Sequence, residues 1–161
     1  MGKWRALFES NLPPVGERED RAEYEFGPPA APAQLAAAEA ALGVPLPADV
    51  REMLSEFNGV WRTATYPDGR RSRKALYLDV DALSVAVPEY FDDCGNDLPD
   101  PGDLRRVVFV AQSNGFADLW GVCAEAVAGH EAGAVVTLDH EGGGLGASHP
   151  SLAAFVADGR K

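Results

Sequence analysis

Hydrophobic residues in the first third of the chain recur with a helical period. Trp4, Leu7 and Phe8 predict a short amphipathic helix over residues 3–11. Residues 12–34 carry Pro13, Pro14, Gly16, Gly27, Pro28, Pro29 and Pro32 and read as a connector, in which Tyr24 and Phe26 can dock as an edge strand. A helix follows from Pro32 to Leu42. Pro32 suits its first turn, Leu35, Ala38 and Leu42 form its apolar stripe, and Gly43 suits the left-handed position after its end. Val44-Pro45-Leu46-Pro47 is a stiff extended link, because Pro47 cannot continue a helix. The next helix starts at Ala48 or Asp49 and runs to about Phe57. Val50, Met53, Leu54 and Phe57 line one face, and Asn58-Gly59 ends it.

Beyond Gly59 the period falls to two. Val60 to Tyr66 and Ala75 to Val80 alternate as strands, with Pro67-Asp68-Gly69 turning between them. Asp81 is expected to cap a short helix through Val85, and residues 88–104, broken by Pro88, Gly95, Pro99, Pro101 and Gly102, to form a loop. Arg106 to Ala111 predicts a buried strand, Ser113-Asn114-Gly115 a tight turn, and Asp118 to Cys123 the returning strand. Gly133 to Asp139 predicts another strand, residues 142–146 (GGGLG) a flexible loop, and Leu152, Phe155 and Val156 a last helix capped by Ser151 or Ser148. Helices first, hairpin-linked strands next and a closing helix describe a single α+β domain: N-terminal helices packed on a mainly antiparallel sheet, with a C-terminal helix over it.

Composition narrows the function classes. The chain has 161 residues, with 25 acids against 14 bases and a formal charge of −11. Such a surface repels nucleic acid and favours encounter with a cationic partner. Hydrophobic residues make up 46%, enough for a packed core without staples. The first ten residues, MGKWRALFES, lack the apolar run of a signal peptide, and Val107 to Ala111 is too short to span a bilayer. Two cysteines, Cys94 and Cys123, are too few for a disulfide scaffold, so a reduced cytoplasmic protein is expected.

No residue pattern commits the chain to catalysis, a metal or a cofactor. Asp139-His140-Glu141 with His149 has zinc-ligand chemistry, but strand neighbours point to opposite faces, so the histidines, with His130, are read as solvated loop residues. Cys123 with His140 and Asp139 imitates a thiol nucleophile and its base without any elbow turn; a buried inert thiol is the expectation. The acidic stretch from Glu89 through Asp92, Asp93, Asp97, Asp100 and Asp103 fails as a calcium loop, since the required glycine position is Asp97 and the last ligand position is Asp103. It reads either as a solvated loop or as a docking surface for a cationic protein, anchored by Tyr90 and Phe91. Arg62, Arg70, Arg71, Arg73 and Lys74 form a basic counter-patch, read as solubilising a turn. The glycine run lacks the lysine and the following helix of a phosphate loop.

The segment Leu42-Gly43-Val44-Pro45-Leu46-Pro47, then Val50, Leu54 and Phe57-Asn58-Gly59, resembles the signature of the SUKH superfamily, the Smi/Knr-like domain. Collinear blocks extend the resemblance: Val107 to Ala111 with Ser113 to Asp118, Gly133 to Glu141, and Ser151 to Val156. The resemblance implies a family core over residues 32–157, preceded by a helix and proline-rich extension over 1–31. It implies a protein-binding domain, with Leu42, Gly43, Leu46, Pro47, Phe57, Asn58 and Gly59 serving the fold and not chemistry. Many bacterial members are similar to immunity proteins that neutralise a secreted toxin domain by direct binding. Fungal relatives act as regulatory interaction proteins, so a regulatory or scaffold module is the alternative. A hydrolase or small-ligand protein using His140, Asp139 and Cys123 is the third reading.

Overall fold

The computed structural model describes residues 2–83, 100–112, 118–138 and 144–159. The elements in chain order are α1 (Lys3–Ser10), β1 (Arg21–Phe26), α2 (Pro32–Leu42), α3 (Ala48–Glu56), β2 (Val60–Thr65), β3 (Arg71–Tyr77), α4 (Val80–Leu83), α5 (Pro101–Leu104), β4 (Val107–Gln112), β5 (Leu119–Cys123), β6 (Val135–Leu138), β7 (Leu145–His149) and α6 (Leu152–Ala157). The fold is α+β, as expected. Each strand pairs antiparallel with the next in sequence, so one open seven-stranded sheet runs β1 to β7 without a crossover.

The helices follow from local chemistry. Pro32 opens α2, where the missing N–H is no loss, and Gln34 accepts from the Ala31 N–H at 2.9 Å. Gly43 closes it in the left-handed region at φ 74° and bonds back to the Glu39 carbonyl. Val50, Met53, Leu54 and Phe57 are all fully buried, as their spacing requires. Ser151 caps α6, its Oγ accepting from Ala154 N at 3.2 Å.

Several expected boundaries move. β3 begins at Arg71, not Ala75, because the ladder with β2 continues through Thr65↔Arg71, and Arg71 and Arg73 find carboxylate partners on β1. Val80 starts α4 and does not end a strand; its cap is Asp79, whose Oδ1 accepts from Ala82 N at 2.9 Å, in place of Asp81. Pro101–Leu104 is a helical turn within the expected loop. The end of the glycine run does not stay a loop: Leu145 and Gly146 join β7 and pair with β6, so His149 lies in a strand. The expected helix end at Val85, the loop over 88–99 and the turn at 113–115 lie outside the described residues.

Two apolar layers sandwich the sheet. On one face Trp4, Phe8, Val50, Met53, Leu54 and Phe57 meet Val60, Tyr77, Val110, Val122, Leu152 and Phe155. Edge-to-face ring contacts join Phe8 to Phe57 at 5.1 Å and to Tyr77 at 4.5 Å between centroids. Each such side chain contributes about 2–3 kcal/mol of burial. On the other face Val107, Phe109, Leu119, Cys123, Val136 and Leu138 form a second cluster with Leu104, Val127 and Leu145.

Candidate functional site

The signature segment builds a clasp between α2 and α3. Glu39 is its centre: its Oε1 accepts from Leu46 N at 2.9 Å and from the Arg51 guanidinium. The Arg51 hydrogen bond, then that of Leu46, holds the Glu39 carboxyl below the usual carboxylate range. Leu46 is buried beneath this knot, while Pro47 leads into α3. Asn58 accepts from Val80 N at 2.7 Å, and Gly59 holds φ 85°. A Cβ on Gly59 would come within 2.8 Å of the Trp61 ring. These residues shape the chain where it passes from helices to sheet.

The segment before Pro28 is tied to the same clasp. The N-terminus of α1 receives Glu56 from α3, whose carboxylate accepts from Trp4 N at 3.2 Å and Arg5 N at 3.0 Å. Glu52 accepts from the Trp4 indole at 3.2 Å and from Lys3 at 3.3 Å. The indole bond, then that of Lys3, lowers the Glu52 pKa. The sequence reading did not single out Glu39, Glu52 or Glu56. Their signal is an acidic residue at helical spacing from an apolar stripe, which is common to most surface helices.

The basic counter-patch separates into individual roles. Arg62 is only 7% exposed. Its guanidinium donates to Glu19, to the Tyr24 hydroxyl at 3.0 Å and to the Pro14 carbonyl at 3.3 Å, and Tyr24 in turn donates to the Pro13 carbonyl. This Arg62 contact, with the Gly16 N–H, pulls the Glu19 carboxyl down to about 2, and Glu19 in turn raises the Arg62 pKa. Arg62 is therefore a buried strut that straps residues 13–19 to the sheet, and not part of a solubilising patch. Arg71 and Arg73 pair with Glu23 and Glu25 at 3.1 and 3.0 Å, and Arg73 also covers the Trp61 ring at 4.9 Å. Arg70 lies 4.3 Å from the Tyr66 centroid.

The acidic segment is described only at its end. Asp100 Oδ1 accepts from Gly102 N at 2.6 Å and its carbonyl accepts from Asp103 N and Leu104 N, so Asp100 starts α5 while remaining exposed. Asp103 is half-buried. Tyr90, Phe91, Asp92, Asp93 and Asp97 lie outside the described residues. Among the described residues Val15 is the large apolar side chain left exposed.

Of the described histidines, His149 lies in β7 in place of a loop, and His130, in the connection between β5 and β6, is half-buried. His130 Nε2 is 3.1 Å from the Leu145 carbonyl oxygen; a carbonyl only accepts, so this nitrogen donates. His149 packs edge-on to Phe155 at 5.2 Å, with Nδ1 2.7 Å from Ser148 Oγ and Nε2 3.4 Å from Asp158 Oδ2. These contacts fasten β7 to the end of α6. Cys123 is fully buried among Val107, Phe109 and Leu119, and desolvation raises its thiol pKa, which opposes nucleophilic use. His140 and Asp139 lie outside the described residues. Among the described residues no group of three or more His, Cys, Asp or Glu side chains gathers as a metal site, and no helix is long and apolar enough to cross a membrane.

Residues 29–158 match the sequence profile of the SMI1 / KNR4 family (SUKH-1). Among curated proteins none matches the chain.

Proposed function

This chain belongs to the SMI1/KNR4 family (SUKH-1), and from that premise we propose that it is a non-catalytic protein-binding domain, an immunity protein that neutralises a toxin domain by direct contact. The observation that carries the reading is the family match itself, which runs through 29–158 and so takes in the clasp, strands β2 to β7 and the closing helix. Supporting it, Cys123 is buried with a raised pKa, unsuited to attack on a substrate. The scarcity of exposed apolar side chains among the described residues favours recognition by charge.

The mechanism we infer is occupancy. Tyr90 and Phe91 anchor the contact, and Asp92, Asp93, Asp97, Asp100 and Asp103 fill a cationic surface on the toxin. Attraction across −11 formal charges speeds encounter, and blockage of the toxin's working surface does the rest. The site of action is the cytoplasm.

Co-expression tests the reading. The product of the adjacent gene is expressed with and without this chain, and survival and complex formation are measured. Protection by a purified one-to-one complex is expected. In that complex, changing Asp92, Asp93 and Asp97 to Lys should slow association at least tenfold at low salt. A neighbour that is harmless alone, or a toxin that is not bound, removes the immunity reading and leaves the regulatory module. An unchanged association rate removes the acidic segment as the contact.

A further inference from the structure

A polar recess lies on the helix-side face of the sheet, beyond the helices. The period of two places Arg62, Ala64 and Tyr66 on one face of β2 and its end, and Ser72 and Lys74 on the same face of β3. Arg62 lies opposite Lys74 and Ala64 opposite Ser72. The short side chains of Ala64 and Ser72 leave a cavity of about 160 Å³, lined by these five residues. Among the described residues no carboxylate lines it, although acids outnumber bases 25 to 14 in the chain.

Its donors are in surplus. Arg62 spends four of its five N–H groups on Glu19, Tyr24 and Pro14, which leaves one on Nη1. The counter-charge of Arg62, Glu19, has both oxygens engaged by that guanidinium. The Lys74 ammonium and the Ser72 and Tyr66 hydroxyls have no hydrogen-bond or ion-pair partner among the described residues. Glu23 and Glu25 point to the opposite face and pair with Arg71 and Arg73, so they do not neutralise Lys74. A guanidinium N–H, an ammonium and two hydroxyls around a recess of this size match a small oxyanion, which accepts several hydrogen bonds at once.

We propose that the recess bounded by Arg62, Tyr66, Ser72 and Lys74 binds a small oxyanion, either free phosphate or the carboxylate of a bound polypeptide. Lys74 supplies the charge, the hydroxyls orient the anion, and the Glu19–Arg62 strut keeps the wall in place. The proposal uses no residue of the acidic segment and stands whether or not the chain neutralises a toxin.

Isothermal titration and thermal melting of the full chain with sodium phosphate test it, against sodium chloride at matched ionic strength, with sodium acetate as the second arm. Saturable phosphate binding with a raised Tm is expected. Lys74→Met should weaken it at least tenfold and Ser72→Ala severalfold, while both variants melt like the parent in chloride. Acetate binding in place of phosphate, lost in the same variants, sustains the site and identifies a carboxylate as its occupant. No saturable response to either anion overturns the proposal, as does a response that Lys74→Met and Ser72→Ala leave unaltered.

Discussion

At the scale of single residues, Glu19 and Arg62 carry a pH dependence. Glu19 has a folded pKa of about 2 against an ordinary 4.5, owing first to the Arg62 hydrogen bond. A depressed carboxylate pKa adds stability that is fully present above the unfolded value and is lost as pH falls from about 4.5 toward 2. Its contribution is roughly 1–3 kcal/mol. Glu19→Ala leaves Arg62 buried without a counter-charge and should cost about 2–4 kcal/mol at pH 7. Urea denaturation between pH 7 and pH 2 checks both statements: the variant should be less stable at pH 7, and its stability should fall less steeply below pH 4.5. Arg62 was legible as a position but not as a role. It falls in the inward phase of β2 with Val60 and Ala64, where a charge is out of pattern. Its partner lies 43 positions earlier in a proline-rich connector, and no local period connects the two.

Two glycines at the scale of elements do different work, and one substitution separates them. Gly43 ends α2 at φ 74° with nothing within 4 Å of a Cβ. Gly43→Ala therefore meets only the conformational penalty, about 1 kcal/mol. Gly121 lies in β5, where a Cβ would fall 2.3 Å from Val107 Cγ1 and 3.1 Å from Phe109 Cδ1. Gly121→Ala must push the second apolar cluster apart and should cost about 2–3 kcal/mol. Chemical denaturation of the pair should rank Gly121→Ala as the more damaging. The helices were readable because apolar spacing and stop residues agree: Pro32 with Gly43, and Val50, Met53, Leu54 and Phe57 with Asn58-Gly59. The strands were readable where they are apolar, as in β4. β3 was misread at its ends and β7 was not expected as a strand at all, since Arg71 to Lys74 and Leu145-Gly146 have poor strand chemistry and are held by their neighbours in the sheet.

For the whole molecule, charge is unevenly spread along the chain. No base lies between Lys74 and Arg105, while six acids fall between Glu89 and Asp103. Association driven by such a segment is screened over about 8 Å at physiological salt. Raising sodium chloride from 20 to 500 mM, roughly a fivefold shortening of the screening length, should slow association with a cationic partner by at least tenfold and change dissociation little. Stopped-flow measurement over that range decides it; a rate independent of salt points to recognition by shape. The candidate site was less legible than the fold. The acidic run is visible in the sequence, but its contact with a partner depends on a second molecule. The recess beside Lys74 needed the register of β2 on β3 to bring four separated residues together.

The order of the strands has a consequence for how the protein is made. Because every strand pairs with the one before it, the sheet can be laid down during translation, hairpin by hairpin, with little waiting. The first helix has no such partner. Trp4 and Phe8 are buried among α3, Tyr77 and the neighbourhood of α6, which leaves the ribosome long after α3. The nascent chain can therefore cover these two aromatic rings in part once α3 has emerged, and their cover is completed only when α6 arrives about a hundred positions later.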